Sequence, residues 1–292
     1  ILAVGMTLVV SSSAGTDISV GAIMAVSAAV CCNILTGGER AATAYANPLI
    51  LGFIAALVVG AAIGCFNGFF SIKVKYPAYG GNSDHVYSRQ RYCTADHRRT
   101  DHLCACRQLP CTGRFFPGIS GSYPVYRGSA GSCPLLRCLL KKTALGMYIQ
   151  SVGINKRASQ LVGIKSVLII FLTYAYCGLC SGLAGLIASS RIYSADANNI
   201  GLNMELDAIL AVAIGGNSLG GGKFSLAGSV IGAFTIQALT TTLYAMHVSS
   251  DQVPVYKAIV VVIIVALQSP GFARWRKSLL QKKEIKAGKE AA

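Results

Sequence analysis

Uncharged apolar stretches of helical length recur along this chain, separated by short polar punctuation. The clearest cover 49–71, 167–190, 224–246 and 253–269, and about 18 or more apolar residues in succession suffice to cross a bilayer as a helix. Pro48 and Pro254 stand at the expected first turns, where a missing backbone N–H costs nothing. Glycine recurs inside the runs, at Gly60, Gly64 and Gly68 and again at Gly178, Gly182 and Gly185, as expected where membrane helices pack closely. Residues 60, 64 and 68 repeat every four positions and therefore predict one smooth stripe for a neighbouring helix. The pattern predicts an all-α protein, a polytopic transmembrane helical bundle.

Composition sharpens this reading. Hydrophobic residues make up 53% of the 292 and charged residues only 13%, with a mean hydropathy of +0.55, whereas a soluble domain carries about a quarter charged residues. The net charge of +15 invites a nucleic-acid partner, but its placement argues for none. Seven of the basic residues lie in the tail between Arg274 and Glu290, which the positive-inside rule assigns to the cytoplasm. Lys141, Lys142, Lys156, Arg157 and Lys165 mark a second cytoplasmic stretch. Four crossings between them, over about 166–190, 206–222, 224–246 and 253–270, alternate consistently with that orientation. The sequence opens inside an apolar segment without Met or a cleavable signal, so earlier spans are expected before it. The organisation expected is N-terminal spans in 1–75, an anomalous segment in 76–140, a cytoplasmic loop in 141–165, further spans in 166–270 and a basic cytoplasmic tail in 271–292.

Residues 76–140 break the pattern. They hold six of the eleven Cys, three of the four His and eight Arg, with no Lys and no Glu, and no helical or strand period survives there. His97, His102, Cys104, Cys106 and Cys111 offer metal-ligating chemistry, but their spacing is not that of a familiar zinc module, so no metal site is expected. A disordered basic loop would favour Lys, Glu, Ser and Pro over Arg, Cys and Tyr. A shifted reading frame accounts for the segment better. Back-translating from Pro77 and starting one base later permits QPMVATLIMFIAGRGIAQL, and the same exercise up to Leu140 permits a second apolar stretch that runs into Lys141. The segment is read here as replacing about two membrane helices.

Three intact stretches resemble the ribose/galactose type of bacterial ABC sugar importer permeases: LAVGMTLVVSSSAGTDISVGAIMAVSAAV over 2–30, ALGMYIQSVGINKRASQLVGI over 144–164, and SADANNIGLNMELDAILAVAIGGNSLGGGKFSLAGSVIGA over 194–233. With the helices around them the resemblance spans 1–75 and 141–270. The Ala-Asp-Ala-Asn-Asn wording and the LDAILAVAIGG run are similar to the galactofuranose-type permeases. The resemblance implies a transport subunit for a monosaccharide such as galactofuranose or ribose, in a bacterial inner (plasma) membrane. It implies a second permease copy or homologue, cytoplasmic ABC ATPase subunits and a periplasmic or lipid-anchored sugar-binding protein, with membrane lipid around the spans. It also implies that 144–164 is the loop that receives the ATPase's motion.

The residues themselves add candidate roles. Asp17 interrupts an apolar run just before Ile18-Ser19-Val20-Gly21 and reads as an N-cap on a second half-helix. A broken helix at membrane depth belongs where protein or a water-filled cavity surrounds it. A short amphipathic helix over 151–164 would offer Val152, Ile154, Leu161 and Ile164 to a partner's groove. Asn155, Lys156, Arg157, Ala158, Ser159 and Gly163 are the expected ATPase contact. Asp17, Asn67, Asp196, Asn198, Asn199, Glu205 and Asp207 are candidates for the translocation pathway, since amide and acid groups suit sugar hydroxyls. Plain capping for Asp17, a merely polar outer loop for 196–207, and helix–helix hydrogen bonding for Asn67 and Gln237 are the plainer alternatives. In 215–223 the Gly-rich stretch ends in Lys223 followed by Phe224 rather than Ser or Thr, which is no phosphate-binding loop. No catalysis and no directly bound cofactor are therefore expected, ATP being used by the partner. A secondary transporter or channel without an ATPase is the rival reading; such proteins carry coupling charges inside their spans, and here these are scarce. A membrane-anchored zinc or nucleic-acid binder would rest wholly on 76–140.

Overall fold

A computed structural model describes residues 1–37, 47–73, 140, 142–192, 195–196, 199–249 and 252–268. The candidate zinc ligands, the stretch expected to be out of frame apart from Leu140, Asn198 and the basic tail lie outside the described residues. Among the described residues every regular element is a helix: α1 Leu2–Ser13, α2 Val20–Thr36, α3 Leu49–Lys73, α4 Leu145–Ile154, α5 Lys156–Leu161, α6 Ser166–Ile192, α7 Met204–Ile214, α8 Leu226–Ala245 and α9 Val253–Gln268. Three of them, α3, α6 and α8, are long and apolar enough to cross a membrane by length and composition. The all-helical bundle expected from the pattern is the fold observed.

Helix α6 is the central post. Helices α1, α2 and α3 all pack on it, while α7 and α8 pair beside α1. The α3–α6 contact is the most extensive, and in it the glycine stripe of α3 meets a second stripe on α6. A β-carbon on Gly60 would lie 2.7 Å from the Gly178 carbonyl oxygen, and one on Gly64 would lie 2.6 Å from that of Tyr174 and 2.9 Å from Gly178 Cα. Both helices thus leave out side chains so that their backbones can touch, and dispersion gained along this seam replaces the hydrophobic drive that lipid cannot supply. The main core joins α1, α2, α6 and α7. Met6, Val9, Val10, Val20, Tyr174 and Val212 are sealed within it.

One expected crossing is interrupted, and the break expected near Asp17 is present. The run over 206–222 is not one span: α7 stops at Ile214, and its 11 residues reach only about 16 Å. Gly215 and Gly216 end it, the latter at φ 77°. A β-carbon on Gly215 would lie 2.5 Å from the Gly228 backbone, so the end of α7 and the start of α8 pass back to back. Helix α1 likewise ends at Ser13, and the chain does not resume a helix until Val20.

Candidate functional site

The first break runs from Ala14 to Ser19. Asp17 is completely buried, and its Oδ1 accepts hydrogen bonds from the backbone N–H of Ser19 (3.0 Å) and from the Ser19 hydroxyl. The expected N-cap is therefore displaced. Ser19 occupies the cap position of α2, and Asp17 holds the turn before it, bonding its own backbone two residues on as aspartate does in turns. Asn67 of α3, also buried, donates from Nδ2 to the Ser19 hydroxyl oxygen at 2.6 Å. Asp17 and Asn67, paired as candidates in the sequence, thus meet through Ser19. Asp17 Oδ2 and Thr16 Oγ1 are buried without a hydrogen-bond partner among the described residues. Glu205 of α7, buried as well, lies against Gly21 in the first turn of α2, where a carboxylate is favoured by the helix dipole.

The second break joins α7 to α8 and is built around Asn217. Its Nδ2 donates to the Val212 carbonyl (3.2 Å) and the Ser229 hydroxyl (2.8 Å), and its Oδ1 accepts from the Ser225 N–H (2.6 Å). Ser225 in turn caps α8 by accepting from the Gly228 N–H. Ser229 shares a 2.6 Å hydrogen bond with the Thr7 hydroxyl of α1, and Ser12 of α1 shares one of 2.8 Å with Thr173 of α6. Hydroxyls thus tie α1 to its neighbours at two levels.

The segment expected as one amphipathic helix is instead two, α4 and α5, divided at Asn155. Extended backbone at Asn155 breaks the helix, and its side-chain oxygen accepts from the Ala158 N–H at 3.0 Å to cap α5. The apolar set divides with it. Val152 is buried in the core and Ile164 packs against it, so neither is free for a partner. Ile154 and Leu161 remain open, and Val162 joins them: Leu161 is 89% exposed and Val162 81%. Lys156, Arg157 and Ala158 are exposed beside them, while Ser159 is buried and donates to the Asn155 carbonyl. Gly163 sits at φ 86° with open space around it, a conformation that favours glycine whatever the space.

The outer candidates separate into two groups. Asn199 is exposed and donates to Asp196 at 2.5 Å. Asp207 forms a 2.7 Å ion pair with Lys257 of α9. Lys257 escaped the sequence reading because one cation in a 16-residue apolar helix leaves the run intact; Asp207 alone gave no hint of its partner. Asn217, Ser229 and Thr7 were missed for a related reason, being single small polar residues in stretches whose glycines dominate the pattern. Gln237 is exposed on α8 rather than bonded into the bundle.

Helices long and apolar enough to cross a membrane, glycine-seamed packing and two buried helix breaks define the class as a membrane helical bundle. Residues 1–79 and 135–267 match the family described as branched-chain amino acid transport system / permease component, and the chain belongs to that family. It is 35% identical, over 99% of its length and 80% of the relative's, to the fructose import permease protein of Bifidobacterium longum. It is 36% identical to the galactofuranose transporter permease protein of Escherichia coli over 93% of this chain and 76% of that one. The ribose import permease protein of Escherichia coli is 34% identical over 92% and 81% of the two chains. No solved structure matches. The chain is a non-catalytic permease component of an ABC importer, and the rival reading as a secondary transporter or channel falls with that assignment.

Proposed function

We propose that this chain is the membrane-spanning subunit of an ATP-driven importer for a monosaccharide, working with cytoplasmic ABC ATPases, a second permease and a sugar-binding protein outside the membrane. The relatives named for fructose, galactofuranose and ribose are similar to it at 34–36% identity, which supports the sugar class without choosing the sugar. The observation that carries the ATPase partnership is α5 and its C-cap: exposed Leu161 and the exposed Val162 that follows it, beside the exposed Lys156 and Arg157 of a capped six-residue helix. Such a surface fits a protein groove with an acidic rim. Asp196 and Asn199 are the candidates for meeting sugar on the outside. Asp17, Asn67 and Glu205, being buried, contribute by shaping the broken helices rather than by lining a channel. Asp207 does so through its bond to Lys257. The C-terminal tail is assigned to the cytoplasm by its charge. Co-purification tests the partnership: Leu161→Asp should abolish capture of the ATPase while membrane insertion stays intact. Undiminished capture would remove α5 from the interface.

We also infer that residues 76–140 are read out of frame. The abrupt change in composition at 76 and its reversal at 141 support this, as does the interval between the two family-matched stretches. The coding DNA across codons 70–145 should encode QPMVATL in another frame; nucleotides unable to do so exclude the idea.

A further inference from the structure

The end of α4, the end of α1 and the glycine turn between α7 and α8 meet backbone to backbone. The Gly222 N–H donates to the Ser11 carbonyl at 3.0 Å, satisfying one of the carbonyls a helix end leaves open. A β-carbon on Gly153 would overlap that same carbonyl and come within 2.6 Å of the Gly222 nitrogen. A β-carbon on Gly221 would lie 3.0 Å from the Gly153 carbonyl oxygen and 3.1 Å from the Ala14 methyl. Ile154 presses on Gly222 from the other side, its Cγ1 2.9 Å from where a β-carbon there would be. Three chain segments distant in sequence thus touch with nothing soft between them.

Two local features run against intrinsic preference at this point. Gly153 lies in the last turn of α4, where glycine is a poorer helix former than alanine. Ala14 holds the left-handed conformation at φ 54°, where glycine would be cheaper. At position 153 the chain gives up a side chain that would collide; at position 14 it keeps one that touches. Both choices serve the contact and neither serves its own helix. From Gly153 the chain leads in two residues to Asn155, whose side chain caps α5. From Ala14 it leads in three residues to Asp17, and from Gly222 the next three reach Ser225, which Asn217 holds.

We propose that this junction of Gly153, Ser11, Ala14 and Gly221–Gly222 passes displacement of α5 to both helix breaks, so that its members are positioning residues linking ATP turnover to sugar passage. The inference rests on α5 being the ATPase's seat. A rigid contact suits the task because packed backbones shift between discrete arrangements rather than deform smoothly. The glycines admit the approach, and the Ala14 methyl transmits the push.

The test uses the full chain, in whichever frame of residues 76–140 its DNA carries, reconstituted with its ATPase and binding protein in proteoliposomes. Sugar taken up per ATP hydrolysed is the readout, with radiolabelled ribose, fructose and galactofuranose as probes. Gly153→Ala should leave ATP hydrolysis running and lower uptake per ATP by roughly tenfold. Should that variant fail to assemble, Ala14→Gly decides the matter, because glycine relieves strain at φ 54° and cannot harm folding by crowding. It should raise thermal stability yet lower uptake per ATP by about two- to threefold. Full uptake per ATP in Ala14→Gly overturns the inference. Leu161→Asp separates the two levels: if it loses hydrolysis stimulation while Ala14→Gly is normal, only the junction fails, and if it changes nothing, the seat on α5 fails first.

Discussion

The two helix breaks solve one problem with different chemistry. Each interrupts a helix inside an apolar bundle and must satisfy the backbone groups it frees. The break at Asn217 is closed: both ends of the amide are bonded, to Val212, Ser229 and Ser225. The break at Asp17 is not. One carboxyl oxygen accepts two bonds from Ser19, while the other oxygen and the nearby Thr16 hydroxyl have none among the described residues. A buried polar atom left unbonded costs about 1–3 kcal/mol. The first break therefore has hydrogen bonds to gain by rearranging, and the second has only bonds to lose. A fixed pivot beside a poised segment is what an importer that alternates between two faces requires.

Substitution at each break should expose that asymmetry, with the larger loss at the closed one. Asn217→Ala removes three hydrogen bonds at a buried site and should cost about 2–4 kcal/mol, read as a lower unfolding midpoint in detergent, with uptake falling in proportion to folded protein. Asp17→Ala removes the acceptor for Ser19 and should cost about 1–2 kcal/mol while depressing uptake more than folded protein. Asp17→Asn keeps the Oδ1 acceptor and spares the burial of a charge, so stability should stay within about 1 kcal/mol of the parent or rise. If Asp17→Ala proves costlier to stability than Asn217→Ala, the first break is the rigid one and the comparison reverses. Asp17→Asn should also transport fully, because Asp17 acts by holding the turn; lost transport at unchanged stability would put its charge in the pathway instead.

Much of this was legible in the sequence, and the misses have physical reasons. The glycines at 60, 64 and 68 announced a close seam because period four on a helix means one face, and α6 fills it with glycines of its own. The break at Asp17 was visible as seven small or polar residues inside an apolar run. The break at Asn217 was hidden, since its glycines read as a loop between two complete spans and a lone Asn carries no period. The division of α4 from α5 was hidden as well: Asn155 is compatible with a helix interior until its extended backbone is seen. Partners distant in sequence, such as Lys257 for Asp207 or Ser229 for Thr7, have no signature in one chain alone. The junction at Gly153 belongs to the same class, since only the fold shows that its glycine answers a carbonyl 142 positions earlier.

The most direct test of the whole account is sugar uptake into proteoliposomes holding this permease, its ATPase and its binding protein, with the ATPase either intact or disabled for hydrolysis. Accumulation of at least one labelled monosaccharide that requires the intact ATPase and external binding protein is the result expected. Equal accumulation with the disabled ATPase, or none of any monosaccharide while ATP is consumed and the complex is assembled, would contradict the assignment as an ATP-driven sugar permease.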